Sequence, residues 1–182
     1  MVRYLAVIFA LISFSANATT TAYKIDPANS SLQFEAVQNG APVAGKFTSF
    51  GGIVNFAKDD LANSNANISI NMNSVSADYA EVPKTLKEKD WFDVSKFAEA
   101  KFESKKFTSS DGKNYQAAGI LTIKGISLPV MLAFTLPELT AEKAVAEGTA
   151  NLSRTKFGIG WADTSSVKDL VKVHFRIAAV KQ

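Results

Sequence analysis

Between Leu128 and Leu136 the chain reads Leu, Val, Leu, Phe, Leu at every second position, and this period of two limits its fold more than any other feature. Side chains of an extended strand alternate between two faces, whereas a helix repeats about every 3.6 residues, so such a run is stable only as a strand with one buried face. The pattern recurs along the chain. Ser31 to Val37 sets Leu32, Phe34 and Ala36 against Ser31, Gln33 and Glu35, and Ala66 to Asn73 sets Ile68, Ile70 and Met72 against Asn67, Ser69, Asn71 and Asn73. Val171 to Val180 sets Val173, Phe175, Ile177 and Ala179 against Lys172, His174, Arg176 and Ala178. Further strands are expected at Tyr23 to Ile25, Ile53 to Phe56, Lys101 to Thr108, Tyr115 to Ile123 and Ala144 to Leu152.

The joints between these runs are turn chemistry. Asn39-Gly40 and Lys124-Gly125 sit where two-residue hairpins are needed, Asp26-Pro27 cannot continue a central ladder, and Ser109 to Gly112 is a turn. Paired glycines at Gly51-Gly52 predict a bulge or sharp bend, the device that lets a sheet coil. Roughly eight strands with short connections define an all-β protein, either a sandwich or an antiparallel up-and-down barrel. A barrel of about eight strands either fills with side chains or holds one slender ligand, and the alternation is compatible with both.

One stretch breaks the pattern. From Ala80 to Phe102 the spacing predicts a short helix, Glu81 to Lys89, with Pro83 in its first turn where a missing N–H costs nothing, followed by Trp91, Phe92 and Phe97. A single helical turn cannot bury those rings on itself. They either plug the mouth of a closed sheet or form the core of a connecting segment.

At the N-terminus, Arg3, an uncharged run from Tyr4 to Phe14 and Ala16-Asn17-Ala18 have the three parts of a secretory signal peptide. The run falls short of the ~20 apolar residues of a membrane span. Residues 1–18 are therefore expected to be removed, leaving 19–182 as one exported, periplasmic domain that does not span the membrane. The chain holds 20 Lys and Arg against 17 Asp and Glu, which gives no basic footprint for nucleic acid. It has no Cys and only His174 as histidine, so thiol chemistry and zinc binding are not expected, and no cofactor is called for. No nucleophile elbow, phosphate loop or metal cluster is present to suggest an enzyme.

Leu121-Thr122-Ile123-Lys124-Gly125-Ile126 and Arg154-Thr155-Lys156-Phe157-Gly158-Ile159-Gly160 give the chain its resemblance to a known family. Supporting pieces are Tyr23-Lys24-Ile25-Asp26, Gly45-Lys46-Phe47 with Gly51-Gly52-Ile53, and Leu86 with Asp90-Trp91-Phe92-Asp93 before Phe102-Glu103-Ser104. In order and spacing these resemble the YceI-like family, exported proteins with a lipocalin-like barrel that bind polyisoprenoids. Two departures are Asn29 before Ser30, where the family usually carries His, and Ala98, where a Pro usually precedes the Phe-x-Ser strand.

The resemblance implies a lipocalin-like barrel with an apolar channel for an isoprenoid lipid or quinone-like amphiphile. Its lining is expected from Phe34, Phe47, Ile70, Met72, Phe102, Leu121, Ile123, Leu132, Phe134 and Phe175, with Leu86, Trp91 and Phe92 as a lid at the mouth. Arg154 is the candidate for a head-group contact through paired donors, or else a structural ion pair closing the barrel. The expected function is that of a periplasmic binding or carrier protein that holds a long-chain isoprenoid or similar amphiphilic lipid in the channel, without catalysis. The alternative is a barrel filled by its own side chains that docks a partner, and a homodimer is compatible with either.

Overall fold

The computed structural model describes residues 19–182; the expected signal peptide, residues 1–18, lies outside the described residues. Three bent strands and five long ones close into an antiparallel barrel of eight. The first bent strand is β1 (Thr21–Ile25) with β2 (Ser31–Gln38), the second β3 (Ala41–Phe47) with β4 (Phe50–Phe56), and the third β5 (Asn65–Asn71) with β6 (Val75–Ala77). The long strands are β7 (Glu99–Ser109), β8 (Asn114–Ile123), β9 (Ile126–Leu139), β10 (Lys143–Ser153) and β11 (Leu170–Lys181).

Two of the three bends have a local cause in a 3-10 turn. Pro27 opens a 3-10 turn over Pro27–Asn29, whose first donors are met by the Asp26 carboxylate at Ala28 N–H, and a second 3-10 turn, Met72–Ser74, is capped by Asn71. Closure follows from the bends. Along one edge β11 pairs with β10 over its whole length; along the other its first half pairs with β2 (Lys172↔Glu35 to Arg176↔Ser31) and its end with β1 (Tyr23↔Lys181 to Ile25↔Ala179). The main ladder thereby closes on itself and no strand stands as a free outer edge, although the β9–β10 pairing stops at Thr149↔Ala133 and leaves the first half of β9 unpaired on that side.

The two hairpin dipeptides behave as their chemistry dictates. Asn39 (φ 51°) with Gly40 (φ 81°), and Lys124 (φ 51°) with Gly125 (φ 75°), place both turn residues at positive φ, the geometry of a two-residue turn matched to strand twist. Gly51-Gly52 departs from expectation. The β4–β5 register runs from Phe50↔Ile70 to Asn55↔Asn65 without a slip. At Gly52 (φ 148°) a Cβ would strike the Asn67 carbonyl, so glycine permits close strand approach here instead of a bulge. Register shifts occur elsewhere, between Ser104 and Lys106 on β7 and between Val145 and Glu147 against β9.

The helix α1 (Glu81–Lys87) ends short of Lys89 because Glu88 is extended, with ψ 164°. After it the chain knots through Phe92 N–H to Leu86 O (3.0 Å) and Asp93 N–H to Glu88 O (2.9 Å). Phe97 sits outside the barrel, with its ring against Gly125 and the Lys96 Nζ 5.1 Å from the ring centroid.

At the opposite end an aromatic floor seals the barrel. Phe56, Phe107, Tyr115 and Phe134 interlock at centroid distances of 5.5 to 6.2 Å, with Tyr115 and Phe134 stacked. The Tyr23 and Tyr115 hydroxyls turn outward to the carbonyls of Thr140 (2.7 Å) and Gly112 (2.9 Å), so the rings are buried without orphaned polar atoms.

Candidate functional site: an apolar barrel cavity

Above the floor the barrel is hollow. A cavity of about 210 Å³ is walled by inward residues of the strands and roofed by Leu86, Trp91 and Phe92. Well-packed interiors leave few voids larger than a water molecule, and apolar cavities of roughly 150 Å³ stay dry and take up hydrocarbon. A void of this size and lining is a place for an apolar guest.

Glycines keep it open. Gly45, Gly119 and Gly148 face inward on β3, β8 and β10, and the rings of Phe34, Phe102 and Phe175 lie against them from neighbouring strands. Each ring therefore flattens along the wall in place of crossing the lumen.

The cavity wall contains Phe34, Phe47, Ile70, Met72, Leu86, Trp91, Phe92, Phe102, Leu121, Ile123, Leu132 and Phe175. Phe134 does not reach it. Its ring belongs to the aromatic floor and lines a second, deeper cavity of about 80 Å³. Residues on the wall that the sequence reading left out of the site are Phe50, Val130, Leu152, Phe157 and Ile159 among others. Val130 shares the parity of Leu132 on β9 and could have been read from it, whereas Phe157 and Ile159 sit in an irregular segment with no periodicity to follow.

That segment, residues 154–169, is the second half of the roof. It meets the first half at Gly160, whose N–H donates to Asp90 O at 2.7 Å, and at Trp161, whose ring stands edge-on to Trp91 at 6.2 Å. It is also tied to the β2 end by Lys168 N–H to Val37 O (2.9 Å) and Asn39 N–H to Ser166 O (2.7 Å).

Arg154 holds the segment in shape. Its guanidinium, in a residue only 4% exposed, donates from Nε to Lys168 O (3.1 Å), from Nη1 to Ile159 O (2.9 Å) and Trp161 O (2.7 Å), and from Nη2 to Asp163 O (3.1 Å) and Val167 O (2.6 Å). A guanidinium has five N–H donors, and all are taken by backbone carbonyls. This corrects the expected head-group contact, because no donor remains for a ligand. Nor is Arg154 in an ion pair: its compensation is a ring of carbonyl dipoles. Asp169 completes the frame, accepting from Thr155 N–H (2.9 Å) and Thr155 Oγ1–H (2.6 Å). The Thr155 hydroxyl bond is the main reason its carboxyl is held below the ordinary value.

Among the described residues no group of three or more His, Cys, Asp or Glu is placed to hold a metal ion. No helix among them is long and apolar enough to cross a membrane.

An eight-stranded up-and-down barrel with a sealed aromatic floor, an apolar cavity and a two-part roof defines a lipocalin-like barrel. Residues 23–179 match the YceI-like domain, and the chain belongs to the YceI-like family. It is similar to a UPF0312 protein of Vibrio vulnificus (strain YJ016), 27% identical over 165 residues that cover 87% of each chain. A UPF0312 protein of Yersinia pestis (strain Pestoides F) is 33% identical over 126 residues, 68% of this chain and 65% of that one. Among solved structures, BcnA of Burkholderia cenocepacia superposes with a TM-score of 0.80 at 28% identity, covering 85% of this chain and 99% of that one. A polyisoprenoid binding domain from Saccharophagus degradans, implicated in plant cell wall breakdown, shares the fold with a TM-score of 0.69 at 13% identity, covering 89% of this chain and 99% of that one.

Proposed function

We propose that this protein is a periplasmic binding or carrier protein that holds the tail of an isoprenoid or similar amphiphile inside its barrel, without catalysis. The observation that carries this reading is the cavity of about 210 Å³, walled by aliphatic and aromatic side chains and placed under a roof of Leu86, Trp91 and Phe92. The polyisoprenoid binding domain of Saccharophagus degradans, which has the same fold, supports the ligand class. Burying each CH₂ is worth about 0.8 kcal/mol, so a few isoprene units offset an association cost of roughly 4 to 15 kcal/mol. The polar end of the ligand stays at the roof, where water meets it.

Native mass spectrometry of protein purified from its host, followed by solvent extraction, tests the reading. A bound apolar amphiphile, and saturable uptake of a prenyl alcohol after delipidation, are expected. A barrel that comes empty and takes up none would overturn it in favour of a partner-docking barrel. Export is tested by the N-terminus of the periplasmic protein, expected at Thr19.

A further inference from the structure

Resting on that functional reading, we infer that the amphiphile enters and leaves the cavity through the side of the barrel, along a seam between β9 and β10 whose latch is Lys124. Pairing of β9 with β10 ends at Thr149↔Ala133, whereas β9 stays paired with β8 as far as Ile123↔Ile126 and β10 with β11 as far as Ser153↔Leu170. Each strand is thus held by its other neighbour while no ladder joins Ile126–Leu132 to Ala150–Ser153. The unpaired stretch runs up to the roof, because β10 leads into residues 154–169 and β9 starts at the Lys124-Gly125 turn.

The sequence is adapted to the break. Residues of an antiparallel strand turn their backbone groups alternately to one neighbour and the other. The two-residue turn makes Ile123 and Ile126 a bonded pair, so Ser127, Pro129 and Met131 turn theirs toward β10. Pro129 has no N–H to offer there, and a proline within a sheet belongs on an edge. It leaves the seam with one donor fewer to satisfy and disfavours the addition of a foreign strand.

The seam joins two apolar surfaces. Inside, Val130 and Leu132 on one lip and Ala150 and Leu152 on the other line the cavity. Outside, Met131 is 51% exposed, and Ile120, diagonal to it across the β8–β9 ladder, is 44% exposed. A tail moving through the seam passes from one to the other.

At the upper end the 3-10 turn Thr155–Phe157 packs on β9, with Phe157 and Ile159 buried on the cavity wall. This segment is fastened unequally. On one side it is held by the five Arg154 donors, by Asp169 and by Gly160 N–H to Asp90 O. Toward the β8–β9 turn, the one hydrogen bond among the described residues is Lys124 Nζ to Gly158 O at 2.8 Å, where the Ile126 side chain also lies beside Gly158. Lifting the roof breaks many bonds, whereas parting the seam breaks one.

The chain has no cysteine, so an introduced pair can be bridged selectively. Extending the register two residues beyond Thr149↔Ala133 sets Asn151 opposite Met131, both exposed. Met131→Cys/Asn151→Cys closed with a short bis-maleimide bolts the seam, and Asn151→Cys/Lys172→Cys, bridged across the paired β10–β11 ladder, is the control. Delipidated protein is mixed in stopped flow with geranylgeraniol carrying a nitrobenzoxadiazole fluorophore, and uptake and release rates are read. The bolt should slow both by on the order of tenfold or more relative to the same variant capped with N-ethylmaleimide, as when a gating motion is blocked, while the control bridge leaves them unchanged. Lys124→Ala should speed uptake and release together by on the order of fivefold, the kinetic equivalent of one hydrogen bond, with affinity unchanged. If bolted protein exchanges as fast as capped protein, or the control bridge slows exchange equally, the portal is refuted while binding stands. Faster release from Lys124→Ala with unchanged uptake would place Lys124 in the bound state and remove the latch. Thermal melts accompany each variant, and if the bolted pair does not fold, Lys124→Ala decides alone. If the unsubstituted protein takes up no probe, the functional reading falls and the seam with it.

Discussion

The ring of Phe34 lies flat over Gly45, its partner across the β2–β3 ladder, and occupies the volume that a Cβ on Gly45 would need. Only ring atoms stand in the way at that position, unlike Gly119 and Gly148, where a backbone carbonyl also intrudes. The relationship makes Gly45 a handle on cavity volume.

Gly45→Ala should push the Phe34 ring off the wall and into the upper cavity without moving backbone. Losing glycine's unfolded-state freedom stabilises by roughly 0.4 to 1 kcal/mol, which offsets part of an overpacking cost of about 1 to 3 kcal/mol. Melting temperature should change little, while uptake of an apolar fluorescent probe falls severalfold. Full probe uptake with a normal melt would show that Phe34 finds another rotamer outside the cavity.

How much of this was legible beforehand follows from what periodicity encodes. Parity along β9 and β11 placed Leu132, Phe134 and Phe175 inside, yet parity fixes a face and not a height, and Phe134 turned out to be floor while Leu132 borders both cavities. The hairpin dipeptides announced themselves because positive φ is a local demand. The flattening of Phe rings on glycines was not visible, since each pair joins different strands and depends on register. Arg154 was marked by its motif, but its carbonyl partners come from a segment without periodicity, reaching as far as Lys168. Nothing local distinguishes a donor meant for a ligand from one meant for a loop.

Arg154→Lys keeps the charge and discards the geometry. An ammonium has three donors on a flexible stem and cannot serve five carbonyls spread around a plane. Leaving buried acceptors unsatisfied should cost roughly 3 kcal/mol, lowering the melting temperature by on the order of 10 °C. Hydrogen exchange read by mass spectrometry should show the loss first in residues 155–169. Unchanged protection there would mean that packing of Phe157 and Ile159, both buried, holds the roof without the guanidinium.

Trp91→Ala removes the contact between the two halves of the roof. An edge-on aromatic pair contributes about 0.5 to 1.5 kcal/mol beyond its buried area, and the Trp91 ring also lies beside Gly160. Ligand dissociation should accelerate by about tenfold, as expected when roughly 1.4 kcal/mol is lost from the bound state, with a smaller effect on the melt. Stopped-flow displacement of a prenylated fluorophore measures it. A large drop in stability with an unchanged off-rate would make Trp91 core and not roof.

Acid should loosen the roof through Asp169. Its carboxyl is held below the ordinary 3.8, first by the Thr155 hydroxyl, with smaller help from Ser153, the Thr155 N–H and the Arg154 charge, against a counteracting burial effect. The sign is that of a depressed acid: the stabilisation is fully present above the unfolded value and disappears as pH falls from about 3.8 through the lower folded value. Exchange protection of the Thr155 amide, which donates to Asp169 Oδ1 at 2.9 Å, should therefore be flat from neutral pH down to about 4 and fall below it. Asp169→Asn keeps an acceptor oxygen but no titration, so its protection should begin lower and lose the acid step. An acid step of the same size in Asp169→Asn would assign the transition to another carboxyl, the nearest in kind being Asp163, which is also held low, chiefly by the Ser165 N–H.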